Sequence, residues 1–307
     1  MIEVLLATYN GETYLKEQLD SLLAQTYQDF RILIRDDDST DSTVSLLEEY
    51  REAYPDKIIL VKDGVHCGNA ARNFMELTKH ATAEYVMYCD QDDFWLPQKL
   101  EVSLRDMKAT EEKAGKDTPI LVYGDYKIVD ENLKDAGIAI EEIQVAKHFT
   151  DMNRILVQNY ATGCLVMANR KLYKMLGEYD PDVIMHDWWL ALIASAMGIV
   201  HHFPMEVMYY RQHGDNVVGA VRVKSFRYRW KKLIDPTTKK KKDTYFAQGR
   251  LLMERFGDVL PENNKKMLEQ FLEIPKTKRK IARIKAILSG NFLKSDFIRN
   301  LGFLYYI

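Results

Sequence analysis

The chain has 307 residues, 47% hydrophobic and 29% charged, enough apolar content for one large core or two smaller ones. Its formal net charge of −2 conceals an asymmetry: residues 221–307 hold 22 Lys/Arg against 8 Asp/Glu (+14), and residues 1–220 hold 21 against 37 (−16). Three cysteines without C-x-x-C spacing argue against a zinc site or a disulfide framework, and no stretch reaches the ~18 uninterrupted apolar residues of a membrane span.

Ile2 to Ala7 predicts a first strand, and Leu15, Leu19, Leu22 and Leu23 recur at helical spacing behind it. Phe30 to Ile34, Lys57 to Val61 and Glu84 to Tyr88 predict further strands. Helices are expected through Val44–Tyr50, from Gly68 to His80 and from Pro97 to about Lys113. Strand and helix alternating at this pitch imply a parallel sheet with right-handed crossovers. Beyond it, Ile120 to Tyr126, Val200 to Phe203 and Val207 to Tyr210 predict strands, and Ala161-Thr162-Gly163-Cys164 to Met167 is another short apolar run. A loop from Tyr179 feeds a helix through Trp188 and Trp189. Past residue 221 helices are expected over Thr244 to Phe256 and Glu262 to Leu288, with a boundary near Lys239–Lys242.

Polar clusters fall where strands end, the edge at which open α/β sheets bind ligands. The densest is Asp90-Gln91-Asp92-Asp93-Phe94-Trp95, at the tip of the fourth strand. In an extended segment Asp90 and Asp92 would share a face, two hard oxygen donors suited to a divalent cation. Asp93 reads as a residue favoured by a helix N-terminus, and Ser39 and Asp41 as N-caps.

Five segments, in order, carry a family resemblance: Ala7-Thr8-Tyr9-Asn10-Gly11, Asp36 to Thr43, Ala71-Arg72-Asn73, Asp90 to Trp95 and His186-Asp187-Trp188-Trp189. The set resembles the inverting nucleotide-sugar transferases of glycosyltransferase family 2, over about residues 1–216. Its variants, with Tyr210 to Asn216, resemble bacterial rhamnosyltransferases of cell-surface polysaccharide assembly. The resemblance implies an α/β GT-A fold, Rossmann-like, with a mostly parallel sheet flanked by helices. It implies that Ala7, Thr8 and Tyr9 line the nucleoside pocket, with Asp37 accepting from the pyrimidine base and Arg72 reaching base or phosphates. Asp90 and Gln91 would lie on the nucleotide sugar, and Mg²⁺ or Mn²⁺ would sit on Asp92 and Asp90, with His213 as a further ligand. Asp187 would be the general base that takes the acceptor hydroxyl proton. Trp188, Trp189, Trp95 and Gly163 are candidates for the acceptor or sugar, although a core position is preferred for Trp95 and for one ring of the Trp188–Trp189 pair. Two departures stand out: Asp38 occupies a position where the family often has Gly, and His66-Cys67-Gly68-Asn69 replaces an Asn-x-Gly opening.

A transferase domain is therefore expected over 1–220, and a basic helical extension over 221–307. In that extension Lys276 to Leu288 mixes cations with Ile281, Ile284 and Ile287 and leads to an aromatic end. This pattern suits an anionic membrane surface; packing on the catalytic domain or on a second copy in a homodimer is the competing reading. The resemblance implies a nucleoside-diphosphate sugar donor, dTDP-rhamnose or a UDP-sugar, and a polyprenyl-diphosphate-linked glycan acceptor. The expected location is cytoplasmic, at the inner membrane face; no leader peptide is read at Met1. No nucleic-acid motif accompanies the charge, so no nucleic-acid partner is expected. A nucleotidyltransferase is argued against by the absence of a Gly-rich Arg/Lys loop after the first strand. A non-catalytic binding scaffold remains the rival from another class.

Overall fold

The computed structural model describes residues 1–137, 149–213 and 236–307. Its strands are β1 (Ile2–Thr8), β2 (Phe30–Asp36), β3 (Ile58–Leu60), β4 (Tyr85–Cys89), β5 (Phe94–Trp95), β6 (Ile120–Val129), β7 (Val166–Asn169) and β8 (Ile199–Arg211). They form one sheet in the order β3-β2-β1-β4-β7-β6-β8-β5. β3, β2, β1 and β4 run parallel, as the alternation predicts. β7 enters antiparallel to both β4 and β6, and β6 pairs parallel with β8.

β1 is apolar almost throughout because both its faces are covered. Ile2, Val4, Leu5 and Leu6 are fully buried, each contributing about 1.5–3 kcal/mol. Glu3 is equally buried. Burial alone would raise its pKa, but the Ala83 and Thr82 amides (2.9 and 2.7 Å) and the Arg31 guanidinium bring it below the ordinary carboxylate value. Helix α1 (Leu15–Leu23) buries Leu15, Leu19 and Leu22, one face at spacings of four and three. Helices α2 (Thr43–Ala53), α3 (Ala70–Lys79) and α4 (Lys99–Ala114) complete the crossovers.

The structure corrects several expectations. The segment after the acid cluster first forms β5, whose Phe94 and Trp95 pair antiparallel with Tyr209 and Met208, and α4 opens only at Lys99. The two short strands expected over 200–210 are one, β8, with irregular register against β6 near Asp125. After the one-turn helices α5 (Met152–Ile155) and α6 (Arg170–Tyr173) comes α7 (His186–Met197). The C-terminal helices are α8 (Pro236–Phe256), α9 (Glu262–Glu273), α10 (Lys280–Ser289) and α11 (Phe297–Tyr306). Lys239–Lys242 thus lie inside α8 rather than at a boundary. The single helix expected over 262–288 breaks around Pro275, which lacks the N–H that a helix interior needs. The expected boundary at 220/221 lies outside the described residues, as do Gly214, Asp215 and Asn216.

The C-terminal helices pack on the sheet-bearing body. Arg255 of α8 donates to the carbonyls of Leu176 and Glu178, and Arg154 of α5 reaches Asn291 and Lys294. Phe246, Phe271 and Phe292 stack at 4.7 and 5.0 Å between them. Among the described residues no helix is long and apolar enough to cross a membrane.

Candidate active site

Three neighbouring strand tips meet at one sheet edge. Thr8, at the end of β1, is buried and donates to Asp36 Oδ1 at 2.7 Å; Asp36 also takes the Ser39 amide and hydroxyl. Asp36 thus orients the loop after β2. Ser39 does not cap α2: it accepts from the Asn10 amide at 2.8 Å and ties the two loops together. Nor is Asp41 the N-cap: that position is Ser42, without a side-chain cap bond, and Asp41 just before it takes the Thr43 amide at 3.0 Å. Tyr9 projects into solvent and partly buried Ala7 lies beneath it. Gln91 clasps Tyr9 by two bonds, accepting from its amide at 2.8 Å and donating to its carbonyl at 2.9 Å. Gly11 makes room for this clasp: a Cβ there would stand 2.4 Å from Gln91 Oε1.

Asp37 is buried, with Oδ1 taking the Cys67 amide at 2.7 Å and Oδ2 the Gly68 amide at 2.8 Å. Burial opposes its charge, yet these amides and Arg35 hold its pKa below the ordinary value. Arg35, fully buried and absent from the expected site, is the hub here. It binds both oxygens of Asp63 at 2.9 and 3.0 Å, Asn73 at 2.8 Å, Asp37 at 3.3 Å and the Val65 carbonyl. Burial works against its charge, but Asp63 and Asp37 outweigh it and raise its pKa. Asp38 has φ +63°, a left-handed backbone that Gly adopts without cost and Asp tolerates; that accounts for both residue types at this position. Its carboxylate meets His66 at 3.0 Å. Arg72, near the start of α3, lies 6.0 Å from the Tyr179 ring and has no carboxylate ion-pair partner among the described residues.

The acid cluster divides differently from the expectation. β4 ends at Cys89, so strand alternation does not extend over residues 90–92. Asp90 instead groups with Asp93 and Cys164, potential ligand atoms of the three lying within 4.8 Å of one another. Asp92 Oδ2 stands 2.8 Å from His213 Nε2. Asp93 is not at a helix start; it is buried, Oδ1 takes the Arg211 amide at 3.3 Å, and Oδ2 has no hydrogen-bond partner among the described residues. Burial, then the charges of Asp92 and Asp187, push Asp90 up to about 7, and burial with Asp92 and Asp90 raises Asp93 well above the carboxylate range. Beneath them lies Lys99, an unforeseen buried ammonium bonded to the Cys164 carbonyl at 2.5 Å and set 3.6 Å over the Trp95 ring. Burial lowers its pKa to about 8, a shift that the nearby acids and thiols oppose.

Asp187 is the second residue of α7 and is buried beside this cluster. Its Oδ1 takes the Trp188 amide at 2.6 Å. Burial pushes its carboxyl up to about 6, against the pull of the Trp188 and Gly163 amides. Gly163 allows that approach: a Cβ would lie 3.0 Å from His186 Nε2 and 3.4 Å from Asp187 Cβ. His186, also missed, is buried between Phe74 (4.1 Å) and Tyr88 (5.0 Å), where burial lowers its pKa to about 3 and keeps the ring neutral. Two candidate acceptor rings are withdrawn. Trp95 and Trp189 are fully buried core residues, the latter bonded to the Leu176 carbonyl at 3.1 Å. Trp188 is partly buried, its indole donating to Ile155 at 2.6 Å and its face tilted against Tyr245. A cavity of about 530 Å³ opens between the start of α3 (Asn69–Ala71), the loop Tyr179 to Met185 leading into Asp187, and Thr244 of α8.

Hard oxygen donors suited to a divalent cation come together at Asp90 and Asp93, where Asp93 Oδ2 is buried without a hydrogen-bond partner among the described residues; Asp92 and His213 form a separate pair, 2.8 Å apart, outside that group. The Cys164 thiol, its pKa raised well above the usual range chiefly by burial, is not a ligand for such an ion.

Known proteins resemble this chain in sequence and in fold. The chain is 28% identical over 239 residues to the dTDP-rhamnosyl transferase RfbG of Shigella flexneri, covering 74% of this chain and 78% of that one. It is 29% identical over 195 residues to an Escherichia coli protein, WfgD, named UDP-Glc:alpha-D-GlcNAc-diphosphoundecaprenol beta-1,3-glucosyltransferase, covering 62% and 68%. S. aureus TarS with UDP superposes with a TM-score of 0.60 at 18% identity, over 99% of this chain and 86% of the other. The mannosyltransferase PcManGT from Pyrobaculum calidifontis, with GDP-Man and Mn²⁺, gives 0.51 at 18%, over 94% and 72%. The fold is therefore that of the GT-A glycosyltransferases. Residues 3–174, more than half of the chain, match the model of Glycosyl transferase family 2, and the chain belongs to that family of glycosyltransferases.

Proposed function

We propose that this glycosyltransferase moves L-rhamnose from dTDP-β-L-rhamnose onto a lipid-linked cell-surface glycan, inverting the anomeric centre. The observation that carries the chemistry is that Asp187, from a distant part of the chain, is buried against Gly163, the neighbour of Cys164 in the Asp90–Asp93 group. A carboxyl near 6 is mostly ionised at neutral pH yet basic enough to accept a proton in the transition state. The acceptor oxygen attacks the anomeric carbon and its proton passes to Asp187. The bond to the diphosphate breaks, its electron pair leaving on the phosphate oxygen. Thr8, Tyr9 and Asp37 hold the nucleoside and Arg72 approaches its phosphates. Asp90 with Asp93, and Asp92 with His213, would offer the ligands for Mg²⁺ or Mn²⁺, which when bound supplies neutralising charge for the departing diphosphate. Gln91 acts through Tyr9, by keeping the β1 loop in place. The cavity beside Met185, two residues before Asp187, receives the acceptor glycan. A lipid-linked acceptor puts the enzyme at the inner face of the membrane.

The 28% identity to RfbG supports the rhamnose donor, and the name of WfgD supports a diphosphate-lipid acceptor. A UDP-hexose or UDP-N-acetylhexosamine donor is the second reading, favoured by TarS, which is described with UDP-GlcNAc. Calorimetric titration of dTDP-rhamnose, UDP-glucose, UDP-GlcNAc and UDP-galactose, with and without Mn²⁺, separates them. Metal-dependent binding of dTDP-rhamnose alone is expected; preference for a UDP-sugar discards the rhamnosyl reading. Asp187→Asn should cost ~10²-fold or more in rate with donor binding retained, whereas unchanged activity would point to a binding scaffold.

A further inference from the structure

We propose that α10 and α11 together form a docking surface for an anionic lipid bilayer. Each helix buries one side, Ile287 in α10 and Gly302 and Phe303 in α11, and leaves an apolar stripe on the other. In α10 the stripe is Ile281 (82% exposed) and Leu288, two turns apart; in α11 it is Phe297 (75% exposed), Leu301 and Tyr305, each one turn from the next. The helices adjoin: Lys280 donates to the Tyr305 carbonyl at 2.6 Å and lies 5.0 Å from its ring, and Arg283 reaches the Ile307 carbonyl at 2.7 Å. Residues 276–307 contain eight Lys/Arg and one acid, Asp296. Lys278, Arg279 and Lys285 are exposed and have no carboxylate partner among the described residues.

Large apolar side chains in water beside unpaired cations suit one occupant best. A second copy would set the same positive patch against itself, which like-charge repulsion disfavours. A polynucleotide would use the cations but leave the aliphatic stripes in water. An anionic leaflet takes both, headgroups on the lysines and the boundary of the acyl chains on the stripes. The surface also connects with the catalytic side: Tyr245 touches Trp188, next to Asp187, at 5.5 Å and Phe303 of α11 at 6.2 Å. The inference deepens the membrane location proposed above, but its test needs neither donor nor acceptor, so it can fail while sugar transfer stands.

The full chain is sedimented with vesicles of phosphatidylglycerol and phosphatidylcholine in equal parts, and with phosphatidylcholine alone. It should pellet with the mixed vesicles only, and less as salt rises. Neutralising three surface cations in Lys278→Gln/Arg279→Gln/Lys285→Gln should weaken partitioning about 100-fold. Phe297→Ser/Leu301→Ser should weaken it by roughly 10-fold or more. All five positions are exposed, and an unchanged circular dichroism spectrum and melting point would confirm that the variants fold. Equal pelleting with both vesicle types, no pelleting with either, or partitioning that neither variant alters would each overturn the proposal. So would a dimer, seen by light scattering, that Phe297→Ser/Leu301→Ser dissolves without any vesicle binding.

Discussion

Replacing Arg35 by Met tests the idea that the nucleoside side of the site is held together by one buried guanidinium. Met fills a similar length but returns none of the five hydrogen bonds to Asp63, Asn73, Asp37 and Val65. Breaking a buried ion pair by removing one partner costs about 3–5 kcal/mol. The lower end applies, because Asp37 keeps the Cys67 and Gly68 amides and the Asp63 side chain is 17% exposed. Asp63 gives an independent measure. The Arg35 hydrogen bond, the largest influence on it, helps to lower its pKa from 3.8 to about 2, worth roughly 2 kcal/mol at neutral pH. The sign follows from the depressed value: this stability is complete above about pH 4 and is lost as pH falls towards 2. Equilibrium urea unfolding of Arg35→Met should therefore show a loss of about 3 kcal/mol at pH 7 that shrinks below about pH 3. The donor Kd should rise as well, since the loop that carries Cys67 and Gly68 loses its anchor. A loss under about 1 kcal/mol, or one equally large at the acid end, would refute the assignment of Arg35 as the hub.

Three further outcomes are expected. Asp187→Asn should be more stable than the parent at pH 7 by about 1–3 kcal/mol, because the parent carboxylate is ionised there at a burial cost, with its pKa raised to about 6. The advantage appears as pH rises through about 4 to 6, so melting points that fail to converge near pH 4 would count against it. Gly163→Ala should lower kcat by roughly 10- to 100-fold with little change in donor Kd, since its Cβ presses on His186 and Asp187; normal kcat would show that the approach is not needed. Gly11→Ala should displace Gln91 from Tyr9, and loss of two hydrogen bonds of ~1 kcal/mol each predicts a donor KM about 5- to 30-fold higher. An unchanged KM would mean that the clasp does not hold the donor loop.

The parallel half of the sheet was legible because each strand is an apolar run ending in polar turn residues, a local signal. β5 was not legible: Phe94 and Trp95 are too few to declare a strand, and their pairing with Tyr209 and Met208 depends on contacts across more than a hundred residues. Asp187 could be named from its motif. Its elevated pKa could not, since that arises from burial against Gly163 and His186. Arg35 and Lys99 escaped notice for the same reason. A cation next to an apolar run looks like a solvated surface residue until the fold encloses it. Asp93 failed in the reverse direction, because its helix-capping pattern is genuine but the turn at residues 90–93 directs it inward.

Arg211, at the end of β8, donates to Asp93 and to the Asp92 carbonyl, and also to Glu131 and Glu17; His213 follows at Asp92. The acid cluster is therefore assembled jointly by the opening and the late parts of the sheet. Donor specificity cannot be transplanted by grafting the first hundred residues onto another member of the family: a chimera would have to exchange the β8 terminus as well, or Asp93 would lose the Arg211 backbone N–H and Asp92 the His213 ring that it meets.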